Sequence, residues 1–108
     1  MKTIHMTDDL VFSAFGPYIH YLLTDEVGRI RRFMLMKDQE LDDLHTPYQP
    51  RYFVVVSGDV LLKSLTEKTE KRCCTGTLIA FDPKEESAII ALSDEVVVIE
   101  ITHWMTGG

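Results

Sequence analysis

The strongest constraint on this chain is its punctuation. Short apolar runs recur along the 108 residues at about 8–12-residue spacing, broken by turn residues, while a helical repeat of apolar positions is nearly absent. Residues 10–15 and 18–23 flank Gly16-Pro17, where glycine tolerates positive φ and proline fixes its own, so a hairpin or strand corner is expected. The runs 30–36, 52–56, 60–65, 77–81, 88–92 and 96–101 read as further strands, with 52–56 the clearest because β-branched and aromatic side chains suit a pleated surface. Residues 37–50 are polar with two prolines and should be extended or looped; the charged stretch 66–72 reads as a solvated hairpin end. Such a pattern predicts an all-β sandwich, jelly roll or barrel with under about a tenth helix. The expected core is Phe33, Leu35, Phe53, Val55, Leu61, Ile79, Phe81, Ile90, Val97 and Ile99.

At 12.4 kDa, with 45% hydrophobic and 26% charged residues, there is material for one domain and no room for a second. A domain of this size buries roughly two-thirds of its unfolded surface and folds without metal or disulfide staples. We divide it into N-terminal strands (1–29), a barrel core (30–102) and a tail (103–108). No stretch reaches the ~20 apolar residues of a membrane helix, and the opening residues lack the apolar segment of a signal peptide, so a soluble, cytoplasmic protein is expected. Eleven basic against 17 acidic residues leave a net charge of −6, which disfavours nucleic acid and anionic membranes as partners. Arg29, Arg31 and Arg32 form the one basic cluster; alternation sends Arg31 and Arg32 to opposite faces, and a charged, solvated edge strand is the expected reading. The adjacent Cys73 and Cys74 make neither a disulfide framework nor a zinc site. Gly107-Gly108 reads as a frayed end.

The segment 33–60, followed by 76–101, resembles the cupin family of small double-stranded β-helix barrels. Gly58 matches the closing turn of that family's first motif, the strand 53–56 precedes it, and His45 matches the first histidine. Pro47 stands where the second histidine would be, and Arg51 where the glutamate would be. Gly76 and Pro83 resemble the start of the second motif with one extra residue between them, while Glu85 replaces its second glycine and Ala88 its histidine. The resemblance implies a cupin-like jelly-roll barrel whose usual four-ligand metal site has lost three donors, so no metal and no cofactor are expected.

The expected ligand-binding residues are His45, Tyr48, Arg51 and Phe53 at the barrel mouth, with Tyr52 as a further hydroxyl donor there. Arg51 has two readings. In the glutamate slot it points a guanidinium into an apolar cavity, which is costly unless a carboxylate or anionic ligand pairs with it; if the strand begins one residue later, it lies at the solvent rim. The leading expectation for function is a metal-free barrel binding a small anionic organic molecule. One alternative is a metal-independent sugar-nucleotide isomerase or epimerase, with His45 as base and Tyr48 or Tyr52 as acid; another is a structural dimer or partner module. A homodimer is expected because the strands at 52–56 and 96–101 are apolar at consecutive positions and need cover on both faces.

Overall fold

A computed structural model describes residues 1–42, 51–82 and 84–104. His45, Pro47, Tyr48, Pro83 and the terminal diglycine lie outside the described residues. Among those described, all regular structure is strand, in two antiparallel sheets. The first sheet runs β1 (Tyr18–Thr24), β2 (Gly28–Met36), β9 (Glu95–His103), β4 (Arg51–Ser57) and β7 (Leu78–Ala80). The second runs β3 (Glu40–Leu41), β8 (Ser87–Ala91), β5 (Val60–Ser64) and β6 (Thr69–Cys73). Among the described residues no helix is long and apolar enough to cross a membrane.

Period-two alternation assigns the inner face of each strand. Phe33 and Leu35 of β2, Val96 and Val98 of β9, Phe53 and Val55 of β4 pack against Val60, Ile89 and Ala91 from the opposite sheet, and Phe81 meets Phe53 edge-on at 6.1 Å. Two glycines permit this closure. Gly58 turns β4 into β5 at φ +93°, and a β-carbon there would lie 2.9 Å from the Glu95 carbonyl oxygen. At Gly28 an added β-carbon would lie 2.2 Å from the Thr102 carbonyl oxygen, so only glycine lets β2 start this close to β9.

Several expectations need correction. Leu61 and Ile90 pair with each other on the outer face of the second sheet and are only half-buried; Leu62 and Ile89 take the inner positions. Phe81 is likewise half-buried, at the margin of the core. Residues 69–73 form strand β6, missed because four of its five side chains are exposed and three are charged, a composition that suits an edge. β2 is not an edge strand: it lies between β1 and β9.

Residues 10–15 form no strand, only a single bridge between Ser13 and Gly16. The N-terminal segment instead lies over the outer face of the first sheet. Its carbonyls at Met6, Asp8 and Asp9 accept hydrogen bonds from Arg32 at 3.1, 2.8 and 3.4 Å, and the Val11 amide donates to Met34 Sδ. Backbone groups that a strand would pair in a ladder are here taken up by a guanidinium. Part of the outer apolar face, including Met34 and Val97, is thus buried within one chain. Another part stays open: Leu23, Tyr52, Leu78 and Ile101 remain exposed beside half-buried Ile30 and Val54.

Candidate functional site

At one end of the barrel the inner faces of β2, β9 and β4 stop being apolar. Glu100 lies opposite Arg31 on one side and Phe53 on the other, and Thr102 lies between Arg29 and Arg51. All these positions continue the inward alternation of Val96 and Val98, so three guanidinium groups converge on one carboxylate. Arg31 grips Glu100 bidentately, Nε to Oε1 and Nη2 to Oε2, both at 2.7 Å. Arg51 Nη2 donates to Oε2, Arg29 Nη2 reaches Oε1 at 3.4 Å, and the Thr102 hydroxyl donates to Oε1 at 3.3 Å. The Glu100 side chain is fully buried, while those of Arg51, Arg31 and Arg29 retain 7%, 13% and 25% of their exposure, so the cluster opens progressively toward β2.

Aromatic rings hold the guanidinium planes in place. Arg31 lies near the rings of Phe33 (4.9 Å) and Tyr21 (5.6 Å), Arg51 lies over Phe53 (5.4 Å), and Arg29 lies over Trp104 (5.5 Å). Trp104 is itself anchored by its indole N–H to the Asp25 carbonyl. Burial alone would push the Glu100 carboxyl up, but the hydrogen bonds and charges of Arg31 and Arg51 outweigh it and hold the group below the ordinary carboxylate range. Burial acts to lower the affinity of Arg31 for its proton, and Glu100, with help from Tyr21, reverses this and raises it.

A pocket of about 260 Å³ opens onto this cluster, lined by Arg31, Arg51 and Phe33 with Pro17, Ile19 and Leu41, and bordered by Glu40 and Asp42. Arg51 therefore takes the inward position, not the rim, and the carboxylate that accompanies it is Glu100. Phe53 lies directly beneath it in the core, almost fully buried. Tyr52 pairs with Ile101 and Ala80 on the outer face, which removes it from the barrel mouth and from any role as an acid there. Arg29 and Arg31, expected on a solvated edge, belong to the inner cluster, and Arg32 is buried on the opposite face. Glu100 was not singled out from the sequence. Its signal was present: one carboxylate within the otherwise apolar stretch 96–101, in phase with the inward valines Val96 and Val98.

The cupin resemblance implies a metal held by histidines and a glutamate, and the residues here do not fit one. The glutamate slot carries Arg51, whose guanidinium has no lone pair to donate, and a cation placed beside it would face three positive groups. Ala88, matched to the last histidine, pairs with Lys63 on the outer face; its inward neighbours are Ser87 and Ile89. Among the described residues no group of three His, Cys, Asp or Glu side chains is arranged to hold a metal ion. Cys73 is buried in the core and Cys74 exposed, and both are free thiols.

No family model matches the sequence, and no curated protein matches it. Solved structures do match. An RmlC-like cupin protein from Desulfovibrio desulfuricans superimposes with a TM-score of 0.80 at 18% identity, covering 94% of this chain and 95% of that one. An uncharacterized conserved protein with a double-stranded β-helix domain from Klebsiella pneumoniae gives 0.85 at 11% identity, over 100% and 94%. KdgF from Halomonas sp. gives 0.74 at 12% identity, over 86% and 83%. These likenesses establish the fold: the chain has the cupin-type double-stranded β-helix fold.

Proposed function

We propose that this chain is a metal-free binding module that holds a small anionic organic molecule in the pocket above Arg31 and Arg51. The observation that carries the reading is that two guanidinium groups, Arg31 and Arg51, line one pocket at the barrel end, while Glu100, which both contact, is fully buried. Positive groups sheltered from water attract an anion more strongly than the same groups would in solvent. Phe33 and Tyr21 pack close to the Arg31 guanidinium and restrict it, and a guanidinium so held suits the planar geometry of a carboxylate or phosphate. The chain works on this reading as a sensor or stand-alone binding domain in the cytoplasm, and the open apolar band around Tyr52, Leu78 and Ile101 supports a homodimer.

A thermal-shift screen of carboxylates, sugar phosphates and nucleotides tests the proposal. At least one anion is expected to raise the melting temperature. A charge-assisted hydrogen bond contributes roughly 1.5–3 kcal/mol, so Arg51→Ala should bind that anion about ten- to a hundredfold more weakly. The fold should survive, because Arg31 keeps its bidentate hold on Glu100. If no anion stabilises the wild type, or a hit stabilises Arg51→Ala equally, the pocket is not an anion site.

A further inference from the structure

The inner face of the first sheet is covered unevenly. Ile19 of β1 pairs with Phe33 of β2, so the two side chains share the inward face, yet Phe33 is 3% exposed and Ile19 41%. The cause is a mismatch between the sheets. β1 is an edge strand of seven residues, whereas β3, the edge of the second sheet that reaches the same pocket, has two. So short a strand leaves part of β1 overhanging, and Ile19 opens onto the pocket instead of the core. Half of the described residues lining that pocket are Pro17, Ile19, Phe33 and Leu41, none with a polar side chain. The others are the two guanidinium groups and the exposed Glu40 and Asp42 at the border. A hydroxyl set against hydrocarbon gives up its bonds to water and gains none, while an apolar group that covers Ile19 removes hydrocarbon from water on both partners.

We propose that the anion held above Arg31 and Arg51 carries a hydrocarbon body, which covers Ile19 and packs against Pro17 and Leu41, and that a hydroxylated body such as a sugar is disfavoured. This rests on the anion-binding reading and adds the ligand's body to it. The pocket volume of about 260 Å³ lies just below the roughly 300–1,000 Å³ of sites for drug-sized ligands, so the body is short. A short-chain or branched organic acid fits the description, as does an alkyl phosphate.

Titrations followed by NMR at neutral pH give the dissociation constants. Each methylene taken out of water is worth about fourfold in affinity, so butyrate, two methylenes longer than acetate, should bind at least about fivefold tighter. Isobutyrate and lactate share a shape and differ by a methyl in place of a hydroxyl; isobutyrate is expected to bind at least about threefold tighter. Propyl phosphate against glycerol phosphate makes the same comparison on the other head group, and the series that binds identifies which head group the site takes. Ile19→Ser should fold, because Ile19 is exposed on an edge strand, and should reduce the gain from acetate to butyrate to about twofold or less. A gain that Ile19→Ser leaves intact would overturn the proposal. Equal affinity for acetate and butyrate, with both weakened in Arg51→Ala, would overturn the hydrocarbon body and leave the anion site standing. If none of these acids and phosphates binds, the anion reading itself fails and the hydrocarbon body goes with it.

Discussion

Arg31 and Arg32 are neighbours in sequence, and β2 turns them to opposite faces of one sheet. Arg31 meets a carboxylate bidentately, packs near two rings and borders a pocket. Arg32 is 1% exposed and meets no carboxylate among the described residues; three main-chain carbonyls and His20 Nδ1 accept its hydrogen bonds. Both charges are buried, with different consequences. Around Arg32 the acceptors come from the N-terminal segment, so the interaction closes that segment over the sheet and acts as a structural clamp. Around Arg31 the acceptor is a side chain that Arg29 and Arg51 also meet, and the guanidinium lines a cavity. A buried arginine indicates a ligand site only when its surroundings leave both charge and space.

Glu100→Gln sharpens this contrast most. It keeps the shape but removes the buried carboxylate on which three guanidinium groups converge, and breaking a buried ion pair in this way costs about 3–5 kcal/mol. Urea denaturation should show that loss, and succinate or phosphate should recover more stability in the variant than in the wild type. A loss below about 1 kcal/mol would mean that water already reaches the cluster.

Acid separates the two arginines next. The Glu100 carboxyl is held below its ordinary value in the folded chain, so its contribution is complete above the unfolded carboxylate pKa of about 4.3 and is lost as pH falls through the lower folded value. The three main-chain carbonyls around Arg32 do not titrate, and its fourth acceptor, His20 Nδ1, is common to the wild type and Glu100→Gln and drops out of their comparison. Stability measured from pH 6 to pH 2 should therefore fall on the acid side in the wild type, with a shallower fall in Glu100→Gln. Identical slopes would contradict the assignment.

Arg32→Met should cost about 1–2 kcal/mol, since it removes hydrogen bonds to neutral acceptors and also removes a buried charge. Its signature is local: limited proteolysis should cut within residues 1–17 while the barrel stays resistant. The smallest effect on stability is expected from Tyr52→Glu on the open outer face, within about 0.5 kcal/mol for the folded subunit. Light scattering should nevertheless show the mass falling from twice 12.4 kDa to 12.4 kDa. A wild type already at the lower mass would remove the dimer.

What the sequence disclosed follows the same division. Strands with two apolar faces, such as 52–56 and 96–101, were legible because burial and β-propensity point the same way. β6 was not, because an edge strand is held by its ladder and its side chains are free to be charged. Alternation with Phe53 and the motif match offered the inward placement of Arg51 as one of two readings, and the start of β4 at Arg51 decided between them. The role of Arg29 and Arg31 did not, because no local pattern tells that β2 lies beside β9 and brings them against Glu100, 71 and 69 residues away. Tyr52 failed for the complementary reason: proximity in sequence to Arg51 places it on the other face.

The most direct test follows the side-chain Nε–H resonances of the arginines by NMR during titration with succinate or glycerol phosphate. The account predicts saturable shifts at Arg31 and Arg51, a smaller one at Arg29, and none at Arg32. Movement of Arg32 equal to that of Arg31, or no movement at Arg31 and Arg51 at saturating dianion, would contradict an anion site on the inner face of the barrel.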